Sequence, residues 1–302
     1  MTPAMKHRVL ITGGSGFIGR HLVARLAEEG RAVIATTTHE TYLPTSNTNV
    51  EWVTWDVHRE TSPAIDWPSI DTIVHLAKPR SAIQHCEAHA ANHALSVTAT
   101  YELLCRARYH GVRRFLFAST GYVLGPCDAL ARETDCRYRP REPYGVHKAC
   151  GELITSSFAN ELSTANVRLF FPYGPEGDRY FVNRIVRSVW EGKEIRIDGA
   201  EGVRLNPVWI DDLVTGLVLA IDSTVPGTFH FAGSEIVDLR QLATQIGRMI
   251  NRRPVFRHEP ANPADWHVGD MTLAQSKLGF RPRTDLDHGL GRLIDAGVEA
   301  AA

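Results

Sequence analysis

The chain has 302 residues, 43% hydrophobic and 22% charged, with 33 Lys and Arg against 34 Asp and Glu. This near-cancelling charge argues against a basic nucleic-acid-binding protein, and no run approaches the ~18 consecutive apolar residues of a membrane span. Five scattered cysteines (Cys86, Cys105, Cys127, Cys136, Cys150) form no CxxC and read as free thiols in a reducing compartment.

In chain order, the N-terminus runs directly into an apolar strand, Val9-Leu10-Ile11, leaving no room for a signal peptide, so a cytoplasmic location is expected. The stretch "LITGGSGFIGRHL" (10–22) then places Gly13, Gly16 and Gly19 between this strand and a helix from about Gly16 to Glu29, which Gly30 stops. Glycines there permit a tight turn, close backbone approach to a pyrophosphate, and close helix–strand packing, with the helix N-terminus aimed at the anion. A glycine triplet alone is a weak signal; between a strand and a helix at the start of a βαβ unit it predicts a dinucleotide cradle. The next strand, "AVIAT" (32–36), should end in an acid if the adenosine ribose of NAD is to be bound through its 2′-hydroxyl. Thr37 and Thr38 stand there instead, and a hydroxyl does not repel a 2′-phosphate as a carboxylate would. Arg20, just past the third glycine, adds a cation. NADP is therefore expected over NAD.

"VEWVTW" (50–55), "TIVHLA" (72–77) and "RFLFAS" (114–119) read as further strands, several without the alternation of a half-exposed sheet, as strands covered on both faces should. Between them, residues 92–111 carry apolar or small residues at 95, 99, 103, 104 and 107, one long amphipathic helix. A second, over 144–162, has Val146, Cys150, Leu153, Ile154 and Phe158 on one face. After residue 171 the texture changes to Pro/Gly turns and two helical patterns, one with Val182, Ile185, Val186 and Val189, the other with Leu239, Leu242, Ile246, Met249 and Ile250. The expectation is an α/β protein: a Rossmann-type doubly wound parallel sheet over 1–171, rejoined by about 205–234. A smaller C-terminal α/β substrate lobe takes 172–204 and 235–302.

The chemistry is expected from "PYGVHK", where Tyr144 and Lys148 stand four apart on one helix face. A tyrosine of ordinary pKa, about 10, is a poor acid–base group at neutral pH, and a neighbouring ammonium stabilises its phenolate. YxxxK by itself is common by chance. Upstream, the strand 114–119 ends in Ser119-Thr120, and ligands of open parallel sheets gather beyond the carboxyl ends of strands. A hydroxyl there can hold a substrate oxygen while the tyrosine moves the proton.

Glycine loop, strand-end hydroxyl and Tyr/Lys pair occur in the order of one family. The chain resembles the extended branch of the short-chain dehydrogenase/reductases, which includes nucleotide-sugar epimerases, dehydratases and reductases. The matching motifs span nearly the whole chain: "TGGSGFIG" (12–19), "WDV" (55–57), "HLA" (75–77), "NHALSVTAT" (92–100), "ST" (119–120), "YGVHK" (144–148), "RLFFPYGP" (168–175), "VWIDD" (208–212) and "GDMTLAQSKLGFRP" (269–282). The resemblance implies cofactor contacts from Gly13, Gly16, Phe17, Ile18, Gly19 and Arg20, from Asp56 and Val57 at adenine, and from Leu76, Ala77 and Lys148. It makes Thr120 the catalytic hydroxyl with Ser119 its neighbour, places Arg204 at a substrate diphosphate, and implies a homodimer through the helices that begin near Asn92 and Tyr144.

The departures bear on the reaction. Sugar-nucleotide 4,6-dehydratases follow the threonine with an Asp-Glu pair; here Gly121-Tyr122 follow, which argues against dehydration. Phe171 replaces an asparagine that commonly orients substrate, and Lys78 replaces an alanine beside the expected pocket. Lys78, Tyr122, Phe171 and Arg204 are thus the candidate substrate residues. His85, His89 and His93 stand at i, i+4 and i+8, a metal-like spacing that a surface cluster explains better, and no metal is expected. Arg137, Arg139 and Arg141 read as a solvated loop. The expected function is an NADP-preferring reductase of a keto group on a nucleotide-linked sugar. A C4 epimerase with retained NAD is the alternative, and a non-catalytic dinucleotide scaffold a third reading.

Overall fold

A computed structural model of the chain describes residues 8–38, 48–59, 63–79, 86–125, 130–134, 137–259 and 266–299. Its strands are β1 (Arg8–Thr12), β2 (Ala32–Thr37), β3 (Val50–Thr54), β4 (Ile70–His75), β5 (Arg114–Thr120), β6 (Ser163–Leu169), β7 (Glu194–Asp198), β8 (Arg204–Leu205), β9 (Gly227–Phe231), β10 (Val237–Asp238), β11 (Val255–Glu259) and β12 (Trp266–His267). Its α-helices are α1 (Phe17–Glu28), α2 (Cys86–His93), α3 (Thr100–Tyr109), α4 (Pro143–Ser157), α5 (Phe181–Glu191), α6 (Ile210–Asp222), α7 (Leu239–Met249), α8 (Thr272–Leu278) and α9 (Leu286–Glu299).

Seven of the strands form one parallel sheet in the order β3-β2-β1-β4-β5-β6-β9, the doubly wound arrangement expected. β1 pairs with β2 and β4 on its two sides, so the loop after β1 opens where the winding direction reverses. Both faces are covered: β1, β2, β4 and β5 are buried along almost their whole length, which is why the sequence shows apolar runs there rather than alternation.

The chain divides into two compact units. The first comprises the described residues of 1–123, 140–168 and 214–229; the second those of 124–139, 169–213 and 230–302. Segment 124–139, which the sequence reading gave to the first domain, belongs with the second. Its Glu133 is the tie: the buried carboxylate accepts backbone N–H groups from His230 (2.8 Å), Ala274 (2.9 Å) and Leu273, capping the start of α8. The segment returning to the first unit is also shorter than 205–234. In the second unit β8 pairs antiparallel with β10 and parallel with β12, while β7 pairs with β11.

In the first unit the apolar positions expected on the 92–111 helix are all buried: Leu95, Ala99, Leu103, Leu104 and Ala107 pack with Trp55, Trp67, Ile73 and Phe115. The helix itself does not begin at Asn92. α2 runs straight into a π-helical segment, Ala94–Ala99, and then into α3, with helical backbone at both junctions. The wide turn leaves the Leu95 carbonyl free to accept from the His75 ring at 3.0 Å and from the Thr100 hydroxyl at 3.2 Å. His75 Nδ1 meets the Thr12 hydroxyl at 2.6 Å, and burial lowers the His75 pKa to about 4, so a neutral ring links β1, β4 and the helix.

The second long helix follows its expected apolar stripe only in part: Phe158 is buried and Ile154 packs against the core, but Val146 and Leu153 do not. α4 buries Gly145, Lys148, Ala149, Gly151, Glu152 and Thr155, whereas Val146 and Leu153 are 43% and 56% exposed. The polar and small residues face the sheet because β5 lies so close: a Cβ on Gly151 would stand 2.3 Å from the Phe117 ring and 2.5 Å from the Ser96 carbonyl. No helix among the described residues is long and apolar enough to cross a membrane.

Candidate active site

The glycine loop joins β1 to α1. Gly13 has φ +71°, and a Cβ there would lie 2.8 Å from Ala77 Cα, so only glycine fits the turn against the end of β4. Gly16 is the N-cap of α1, and a Cβ on Gly19 would fall 2.2 Å from the Gly13 carbonyl oxygen. The loop is held from β2 by the Thr36 hydroxyl, which accepts from Gly13 N at 3.2 Å. The first turn of α1 carries no side-chain cap and no acid, leaving a helix N-terminus suited to an anion. Phe17 and Ile18 are buried, fixing the helix on the sheet, while Arg20 folds back onto the Ser15 carbonyl at 3.2 Å. These residues fit a dinucleotide: a backbone cradle that side chains would fill, at the switch point of the sheet. Gly19→Ala is expected to abolish nicotinamide-dinucleotide binding, read as loss of NADH or NADPH fluorescence enhancement on titration, because the clash is with backbone and cannot relax cheaply.

Around the cradle, Thr37 ends β2 buried and Thr38 follows it exposed. Leu76 and Ala77 lie half-buried beyond β4, tied to Thr12 through Leu76 N to Thr12 O (3.1 Å) and Ala77 N to its hydroxyl (3.4 Å). Asp56 is half-buried, 2.6 Å from His58 Nδ1, and Val57 turns its side chain into the core beside Trp55 and Trp67.

The proposed reacting groups are also in the first unit. Thr120 is the last residue of β5 and its hydroxyl accepts from Tyr122 N at 3.4 Å. Tyr144 stands one residue inside α4, partly exposed, with the Tyr122 ring edge-on at 6.5 Å between centroids. Lys148 is buried; its Nζ donates to the Ala118 carbonyl at 2.8 Å and lies 4.6 Å from the centre of the Phe117 ring. Burial, then the charge of Lys78, lower its pKa to about 7, while Glu152 opposes the shift. Lys78, exposed beyond Ala77, is therefore within electrostatic reach of Lys148 on α4. Ser119, expected beside Thr120 as a catalytic hydroxyl, instead donates inward to Glu152 Oε1. Successive strand residues face opposite sides of a sheet, and Ser119 shares the α4 side with Phe117.

In the second unit, Phe171 adopts φ +45°, a left-handed conformation costly for an aromatic residue, and packs edge-on against Phe181 (5.4 Å) and His267 (6.3 Å). Arg204 stacks over Trp266 at 4.7 Å and pairs with Glu201 at 2.8 Å. It borders a cleft of about 220 Å³ with Ile236, Val237 and Gln241.

His89 and His93 fall on α2, and the His93 ring meets His147 of α4 edge-on at 5.6 Å. Among the described residues no group of three His, Cys, Asp or Glu is placed to hold a metal ion. Cys105 and Cys150 are free thiols; His85, Cys127 and Cys136, and the side chain of Cys86, lie outside the described residues.

The reading from sequence missed Glu152 and Arg168, which form the most buried ion pair of the described residues at 2.7 Å. The signal was present: Tyr144, Lys148 and Glu152 repeat at intervals of four on α4.

Fold and site together define a Rossmann-type dinucleotide-binding protein with a tyrosine–lysine pair. The chain belongs to the NAD dependent epimerase/dehydratase family, whose model matches residues 9–231. It is 25% identical to the dTDP-4-dehydro-6-deoxyglucose reductase of Escherichia coli, over 96% of this chain and 98% of that one. It is also 25% identical to the UDP-glucose 4-epimerase of Mycolicibacterium smegmatis, over 95% and 97%. Among solved structures, MoeE5 in complex with UDP-glucose and NAD superposes with a TM-score of 0.82 at 28% identity, covering 98% of this chain and all of that one. The chain is thus an extended short-chain dehydrogenase/reductase of the type that modifies nucleotide sugars.

Proposed function

We propose that the protein is a reductase of a keto group on a nucleotide-linked, deoxy-type sugar, with NADP preferred over NAD. The observation that carries the reading is the row on α4: Tyr144 partly exposed, Lys148 one turn on and buried, with Thr120 ending β5 in the same unit. The cofactor, held by the glycine loop, Thr37, Thr38, Asp56, Val57, Leu76, Ala77 and Lys148, supplies the hydride when bound. Thr120 holds the substrate oxygen by its hydroxyl. Tyr144 delivers a proton to that oxygen as it gains negative charge, and Lys148 stabilises the phenolate left behind. Lys78, Tyr122, Phe171 and Arg204 are assigned to the substrate, Arg204 at its diphosphate.

Thr37 and Thr38 support the NADP preference, since neither repels a 2′-phosphate. Gly121-Tyr122 after the threonine, in place of a carboxylate pair, supports reduction over 4,6-dehydration. The test is NADPH consumption, followed at 340 nm, on a dTDP-4-keto-6-deoxyhexose; turnover with NADPH well above NADH is expected, and consumption of neither sinks the reading. The second reading, a C4 epimerase, is favoured by the epimerase relative and by the NAD of the MoeE5 complex. It uses the same residues with the cofactor retained through the cycle.

The exposed stripe on α4, with Tyr101 of α3 at 55% exposure, supports a homodimer through these helices. Leu153→Glu should then convert a dimer to monomer in sedimentation velocity; a wild-type protein that sediments as monomer contradicts it.

A further inference from the structure

Tyr144 and Lys148 are two members of a row that continues one turn further, to Glu152. Its side chain is fully buried. The Arg168 guanidinium grips it through Nε to Oε1 at 2.9 Å and Nη2 to Oε2 at 2.7 Å, and the Ser119 hydroxyl donates to Oε1. Asn166 Nδ2 donates to the Glu152 backbone carbonyl at 3.3 Å and to the Ser156 hydroxyl at 3.1 Å. The anion is thus fixed from β5 and β6.

Lys148 needs an anion. Its hydrogen-bond acceptor is a neutral carbonyl and its ring neighbour is Phe117. An ammonium so placed tends to shed its proton, and a neutral lysine cannot stabilise a phenolate. The ionisable groups that face it are Lys78 beyond β4, His75 of β4, which burial keeps neutral, Arg168 of β6, which is engaged with Glu152, and Tyr144 and Glu152 of α4. Glu152 supplies the opposing charge, one turn away. It stands about 6 Å along the helix from Lys148 and about 12 Å from Tyr144, so its effect on the tyrosine passes through the lysine.

We propose that Glu152, locked in place by Arg168 and Ser119, is the counter-charge that favours the ammonium form of Lys148, and so is a positioning residue for the Tyr144–Lys148 pair. The proposal rests on the reading of that pair as catalytic. It gives Ser119 a task separate from that of Thr120: the one fixes Glu152, the other the substrate.

The test is an NMR titration of protein carrying ¹³C at lysine Cε. The chain has five lysines (Lys6, Lys78, Lys148, Lys193, Lys277), and the Lys148 resonance is the one lost in Lys148→Met. In Glu152→Gln the Lys148 midpoint should fall. That variant strands Arg168 as a buried cation, so the titration is repeated on Glu152→Gln/Arg168→Met, which removes both charges; the midpoint should fall there too. A Lys148 midpoint unchanged from wild type in the folded double variant overturns the proposal, because a purely structural pair would not move it. The catalytic reading fails on a different result, turnover retained in Tyr144→Phe, so the two failures are distinguishable.

Discussion

Tyr144→Phe is expected to lower turnover by about 10³-fold while leaving NADPH affinity nearly unchanged. The substitution deletes one oxygen at a partly exposed position on α4, and the ring keeps its edge-on neighbour Tyr122. The fold should therefore survive and the cradle at Gly13, Gly16 and Gly19 be untouched. On the proposed reading, what is lost is the proton that the substrate oxygen receives as charge develops on it. Stopped-flow measurement of NADPH oxidation, beside a fluorescence titration of NADPH binding, separates the two effects. Full turnover in this variant would remove Tyr144 from the mechanism.

Arg168→Met should destabilise the protein by about 3–5 kcal/mol, among the largest effects of a single substitution in this chain. Arg168 and Glu152 are 2% and 0% exposed, and the substitution leaves a carboxylate in the interior without the guanidinium that pairs with both of its oxygens. Removing both partners, in Glu152→Gln/Arg168→Met, should cost far less, because no buried charge is then unpaired. Urea denaturation of the three proteins checks this. A single variant as stable as wild type would mean that water reaches Glu152.

These two residues also show where the sequence becomes hard to read. β1, β2, β4 and β5 were legible because both faces of the sheet are covered and their apolar runs are nearly unbroken. β6, "STANVRL", was not. It is a buried strand, yet Thr164, Asn166 and Arg168 occupy half of it, because Asn166 and Arg168 serve Glu152 rather than a hydrophobic core. The same cause misled over part of α4. Of the apolar stripe Val146, Cys150, Leu153, Ile154 and Phe158, Ile154 and Phe158 do meet the core, but Val146 and Leu153 are exposed because the face that meets the sheet carries Lys148, Glu152 and small residues. In both elements the conflict between local pattern and burial falls beside the candidate site, where function overrides packing.

The glycine loop was legible for the opposite reason. Its spacing is dictated by backbone clearance, and the 2.2 Å separation between a Cβ on Gly19 and the Gly13 carbonyl is the constraint seen from the other side. The left-handed backbone of Phe171 had no signature in sequence, since a phenylalanine gives no warning of φ +45°. Nor did the π-helical segment 94–99, whose periodicity over so short a run is indistinguishable from an α-helix.

The proposed reductase would exchange its cofactor with each turnover and prefer one that carries a 2′-phosphate. This is tested most directly by denaturing the purified protein, identifying any nicotinamide nucleotide released, and titrating emptied protein with NADH and NADPH. A reductase predicts protein that arrives empty or loosely loaded and binds NADPH more tightly. Stoichiometric, tightly retained NAD would contradict it and make the C4 epimerase the better reading.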